Sequence, residues 1–136
     1  MPLVATLTPE QLWARPGGVA AVGFHVAHLP GSLDRLLTYS RGAALSDDQL
    51  LVLAGERSIH ANQPSAADLL QRFTSGFEGA IAYLRTVDER SLAISREVGR
   101  KRLPSTTLGL IFHAAEHSSR HAGQIVTLSA IVRAMS

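Results

Sequence analysis

No cysteine occurs anywhere in the 136 residues, which removes disulfides, thiolate metal ligands and a cysteine nucleophile together. Any metal ion must then be held by His, Asp or Glu. Aromatic residues are scarce, at 5%, and Leu, Ala, Ile and Val make up the apolar fraction, which suits helices better than the alternation of a sheet protein. Lysine is nearly absent. Lys101 stands alone, so the positive side of a formal net charge of +2 is almost all arginine. The one dense basic cluster, Arg96, Arg100, Lys101 and Arg102, has no interleaved aromatics and reads as a solvated turn, so no nucleic-acid partner is expected. Met1 to Pro9 lacks the basic and apolar regions of a signal peptide, and no apolar run approaches the roughly 20 residues of a membrane span. The expectation is a cytoplasmic protein with no membrane partner, folded as a single domain over residues 1–136.

Helix signals dominate what is present. Thr8-Pro9-Glu10-Gln11 is a capping box with proline at the first helical position, and Pro16-Gly17-Gly18 stops that helix after about two turns. From Val19 to Arg41, apolar Val22, Leu29, Leu33, Leu36 and Leu37 recur at helical spacing, closed by Gly42. Pro30 cannot donate to the carbonyl of Val26, so a kink or restart is expected one turn from His28. Ser46-Asp47-Asp48-Gln49 opens a short helix to about Arg57. After the loop at Asn62-Gln63-Pro64-Ser65, Leu69, Leu70, Phe73, Phe77, Ile81 and Leu84 give a second long helix its buried face. The pattern breaks between Asp88 and Ser105, which reads as irregular, an extended loop or a small hairpin around Val98-Gly99-Arg100. A third long helix runs from Ser105 or Thr106 to about Ala134. The fold class is all-α.

On that last helix a core seam runs through Leu110, Ala114, His117, His121, Gln124, Leu128 and Ile131. His117 and His121 occupy positions where apolar residues belong. Residues four apart lie about 40° from each other around a helix, so both imidazoles point the same way one turn apart, the spacing a single metal ion can bridge. Left unpartnered in a core, each would lose on the order of 1–3 kcal/mol, which ligation removes. Against this stands the bland reading, two histidines bonded to backbone carbonyls or facing solvent. Two ligands are too few for a stable site, and the first long helix offers His25 and His28, between which helical geometry does not choose. His113 and Glu116 flank the pair as a hydrogen-bond partner, fourth ligand or general base, although Glu116 is placed to pair with Arg120. His60 reads as an exposed loop residue.

Two segments carry a resemblance. Phe24-His25-Val26-Ala27-His28-Leu29-Pro30-Gly31-Ser32-Leu33-Asp34-Arg35-Leu36-Leu37, together with Glu116-His117-Ser118-Ser119-Arg120-His121-Ala122-Gly123-Gln124-Ile125, resembles the paired signatures of the DinB/YfiT-like superfamily. The resemblance covers nearly the whole chain in order and spacing. It implies an up-and-down helical bundle that binds a divalent metal, zinc or nickel, through one histidine of the early signature and two of the late one. Carried over residue by residue, those ligands are His28, His117 and His121.

The resemblance also implies a metal-dependent enzyme, either a thiol-dependent S-transferase using a low-molecular-weight thiol such as bacillithiol, mycothiol or glutathione, or a hydrolase. Its substrate would be a small molecule. A non-catalytic metal-binding module of stress response or regulation is the alternative. Members usually begin with a long helix before the segment matching Thr8 to Gly18, whereas seven residues precede Thr8 here. One bundle helix is thus expected to be missing and the groove it leaves to be covered, by a second subunit in a homodimer or by the short helix from Ser46.

Overall fold

A computed structural model describes residues 1–135, and its helices begin where the sequence offers caps. Two short helices come first, α1 (Pro2–Ala5) and α2 (Pro9–Trp13). Thr8 and Gln11 cap α2 reciprocally, with Pro9 in its first turn, where a missing N–H is harmless. Gly17 and Gly18 take left-handed φ of 63° and 80° and steer the chain toward α3 (Val22–Ser40). A second capping box, Ser46 with Gln49, opens α4 (Asp47–Glu56). The single turn α5 (Ile59–Asn62) leads to α6 (Ala66–Leu84), capped by Ser65. Last comes α7 (Thr107–Ala134), where the Thr106 hydroxyl accepts from the Gly109 N–H.

The bundle is organised around α3, on which α6 and α7 both pack while making little contact with each other. Pro30 meets Gly76 and Ser40 meets Tyr83, so α6 runs in the same direction as α3. Contacts from His25 to His121 and from His28 to His117 make α7 antiparallel to it. Two apolar clusters result. The larger joins Leu12, Val22, Val26, Leu29, Leu69 and Ile125, and the smaller joins Leu33, Leu37, Ala80 and Ala114.

Several expectations shift in detail. Pro30 causes no restart, because α3 is helical without interruption from Val22 to Ser40 and the proline ring is packed against Gly76. A Cβ built on Gly76 would lie 2.5 Å from Pro30 Cβ. Gly76→Ala is therefore expected to destabilise the protein by about 1–3 kcal/mol through overpacking, despite the gain of about 1 kcal/mol in helix propensity. A urea midpoint at or above wild type would contradict this close approach.

On α7 the seam continues through Ile125, Leu128 and Val132, all buried, whereas Gln124 and Ile131 are exposed. Steps of about 3.6 residues from His121 lead to 125, 128 and 132 rather than 124 and 131. On α6 the buried face passes through Leu69 and Ala80, and Ile81 and Leu84 are exposed, because α7 lies on the far side of α3. The helix from Ser46 does not cover α6 and α7. It packs chiefly on α3, and α1 contacts both α6 and α7 instead, tied down by Arg133 donating to the Leu3 carbonyl and Thr6 hydroxyl.

The stretch read as irregular is a hairpin, β1 (Ser95–Val98) paired antiparallel with β2 (Leu103–Thr106) in the register Ser95↔Thr106 to Val98↔Leu103. It turns at Gly99, with φ 67°. Arg96 is not part of a solvated cluster. Its Nε donates to the Ser40 carbonyl at 2.8 Å and to Thr107 Oγ1 at 3.1 Å, a cation at the C-terminus of α3 where the helix dipole favours one. Arg102 pairs with Glu97, so the basic run does not form a continuous patch. Among the described residues no helix is long and apolar enough to cross a membrane.

Candidate metal centre

His28, His117 and His121 converge from the two antiparallel helices, and each offers one ring nitrogen within 4.8 Å of those of the others. On α7 the two imidazoles lie between Ala114 of the smaller apolar cluster and Ile125 of the larger. Four-residue spacing sets them one turn apart and edge to face, with ring centroids 4.5 Å apart. All three are half-buried.

Partial burial controls the protonation of the α7 pair. Desolvation, then the nearby His28, His117, His25 and Arg120, push His121 down from 6.5 to about 4. His117 is lowered mainly by burial and next by His28, with Glu116 opposing. Both are neutral at physiological pH, the form that binds metal. The donors fit a divalent ion: around zinc at about 2.0–2.1 Å, tetrahedral nitrogens stand roughly 3.3 Å apart, and His28 Nε2 and His117 Nε2 are 3.1 Å apart.

Two carboxylate bonds decide how His28 is held. Its Nδ1–H donates to Glu56 Oε2 at 2.7 Å, while Arg35 donates to Glu56 Oε1 at 2.8 Å. Burial pushes the Glu56 carboxyl up, but the hydrogen bonds from His28 and Arg35 outweigh it and hold the group below its ordinary range. With the proton fixed on Nδ1, the Nε2 lone pair of His28 faces the cluster, the arrangement in which a carboxylate orients a ligating histidine. Phe24 stacks on the His28 ring at 5.5 Å.

His25 also belongs to the assembly. It is 5% exposed, and its Nδ1 lies 2.8 Å from His121 Nδ1, so it backs His121 rather than joining the three converging nitrogens. His113 lies beside His117, with ring centroids 5.9 Å apart, but neither it nor Glu116 belongs to the converging group. They face each other at 3.3 Å with half their side-chain surface exposed. The expected Glu116–Arg120 pair is absent among the described residues, because Arg120 Nη2 turns to His117 Nδ1 at 2.8 Å. His60 is not an exposed loop residue. It sits in α5, half-buried, its Nε2 accepts from the Ala21 N–H at 3.3 Å, and its ring stacks on Phe24.

Sequence reasoning missed Glu56 and Arg35. Arg35 had a usable signal, since it lies two turns after His28 on the same face of α3. Glu56 had none, because α4 alone carries it to His28.

The lowered imidazoles set an acid limit on stability. His25, His117 and His121 resist protonation when folded but take up protons near pH 6.5 when unfolded. Their contribution is therefore complete above about pH 6.5 and is lost as pH falls toward about 4, the His121 value. Glu56 adds a loss only below its own unfolded range. Urea midpoints of chelator-treated protein should decline steadily from pH 7 to 5, and a flat profile there would refute the assignment.

A family model described as the DinB superfamily matches residues 1–125. No curated protein and no solved structure gives a significant match to the chain.

Proposed function

The chain belongs to the DinB superfamily, and from that premise we propose that it binds one divalent metal ion, zinc or nickel, through His28, His117 and His121. We read it as a metal-dependent enzyme of the thiol S-transferase or hydrolase type. The observation that carries the reading is the convergence of one ring nitrogen from each of His28, His117 and His121 to within 4.8 Å of one another. Three protein ligands leave an open position, at which a divalent ion acidifies a bound water or thiol and polarises a carbonyl.

The chain's own residues prepare that position. Glu56 fixes the ligating tautomer of His28, His25 backs His121, and the Phe24 ring excludes water from one face of His28. A low-molecular-weight thiol as the incoming nucleophile suits a chain without cysteine, and a cytoplasmic setting supplies such thiols. One observation favours the non-catalytic reading: Glu56, the carboxylate bonded to the cluster, is occupied by His28 and Arg35, which leaves no free general base there.

Metal analysis of the purified protein, followed by a screen of electrophiles with several thiols and of activated esters, tests both levels. One equivalent of metal with thiol-dependent turnover supports the enzyme. Metal without turnover favours the binding module, and no metal uptake defeats both.

A homodimer completes the proposal. Leu108, Phe112, Ala115, Ser119, Ala122 and Val126 repeat every four and three residues along the outer face of α7, and all are exposed, Phe112 at 71%. A heptad stripe of this kind fits the same stripe of a second copy across a two-fold axis. Light scattering should give a dimer for the wild type and a monomer for Phe112→Glu with unchanged thermal stability. A monomeric wild type at tens of micromolar would rule the dimer out.

A further inference from the structure

The hydrogen bonds around His117 can be assigned by elimination. Arg120 has only donors, so its Nη2, 2.8 Å from His117 Nδ1, requires a lone pair on that nitrogen. A neutral His117 then carries its proton on Nε2 and donates it over 3.1 Å to His28 Nε2. His28 accepts, because its own proton lies on Nδ1 against Glu56. His28 therefore stands in the tautomer that ligates through Nε2, and His117 stands in the other. A metal ion on His117 Nε2 needs the lone pair there, which transfers the proton to Nδ1, where the Arg120 donor already points. Donor would face donor. Metal uptake by His117 and the Arg120 hydrogen bond exclude each other.

Glu116, the carboxylate one turn before Arg120, is turned toward His113. Arg120 borders a cavity of about 470 Å³ between the segment leading into α3 and the middle of α7, a volume in the range of small-molecule sites. Val19 and Leu128 give the cavity apolar walls, Gln124 and Thr127 add hydrogen-bonding groups, and no acidic residue lines it. His25, which touches His121, forms the wall nearest the histidines. Another cavity, of about 530 Å³ beside Tyr39, Arg96 and Arg102, is lined by none of the histidines.

We propose that Arg120 is the anion-binding residue of the smaller cavity, freed for that role when His117 takes up metal, and that the ligand is a small organic anion with a short apolar body. The inference rests on the three-histidine metal reading. Because coupled binding is reciprocal, the anion and the metal tighten each other by the same factor.

Hexanesulfonate is a suitable probe, since a sulfonate is a feeble metal ligand. Calorimetric titrations should show it binding the zinc-loaded protein about 10-fold or more tighter than the chelator-treated protein, with zinc affinity raised equally by the sulfonate. Both differences should vanish in Arg120→Ala. Nitrogen-detected NMR should show the His117 proton on Nε2 without zinc and on Nδ1 with it. Zinc uptake with equal sulfonate affinity in the two forms overturns this inference alone. So does a difference that survives Arg120→Ala, because the anion is then drawn by the metal rather than by arginine. No zinc uptake overturns the metal reading and this inference together.

Discussion

Alanine in place of His117 or His121 should lower zinc affinity by at least about 100-fold while leaving the helical content intact. Apparent binding energies of about 10–16 kcal/mol for four-ligand zinc sites correspond to roughly 3 kcal/mol per ligand, and every 1.4 kcal/mol is a factor of ten. His28→Ala should behave alike, since its nitrogen closes the 4.8 Å group from the other helix. His113→Ala is the control. That ring is half exposed and faces Glu116, so its loss should change zinc affinity by no more than a few-fold. Chelator competition distinguishes these outcomes. Equal affinities for wild type and His117→Ala would show that the ion sits elsewhere.

Glu56→Ala should impair both metal binding and folding. The carboxylate accepts from His28 on one oxygen and from Arg35 on the other, and its side chain is 12% exposed beside an Arg35 side chain at 10%. Removing it strands a largely buried guanidinium, an effect of 3–5 kcal/mol in full burial and about 2–3 kcal/mol here after allowing for residual solvent. For a chain of this length that is a fall in Tm of roughly 10 °C. The damage should be local as well as global. Leu50, Leu51, Val52 and Leu53 of α4 are all exposed, so the helix is held chiefly by Glu56 and by Gln49 donating to Asp34 and Thr38.

Metal affinity should fall about 10–100-fold in the same variant, the usual consequence of losing the carboxylate that orients a ligating histidine. Glu56→Gln separates the two effects. Its amide oxygen can still accept from one partner, which restores part of the stability, while the charge that opposes repulsion between Arg35 and a loaded site is gone. Unchanged zinc affinity in both variants would reduce Glu56 to a structural ion pair.

Local chemistry made much of this legible. The capping boxes at Thr8 and Ser46 need only residues within one turn, and both occur as expected. The α3 stripe through Val22, Leu29, Leu33 and Leu37 is buried, because a long helix has few ways to hide that many apolar side chains. The His117–His121 pair was visible for the same reason, since spacing along one helix fixes which side chains share a face. Between Asp88 and Ser105 such local rules failed. There the hairpin depends on Arg96 reaching Ser40, 56 residues earlier.

What spacing within single helices could determine was the all-α class, the three long helices and an imidazole pair on the face of α7. The choice of partners belonged to the tertiary structure. Helix packing alone brings Glu56 from α4 to His28 and places His25 behind His121. A side chain's nearest neighbours in the chain are set by the 3.6-residue turn, whereas the carboxylate that fixes the proton of His28 arrives from another helix, whose position depends on the whole core.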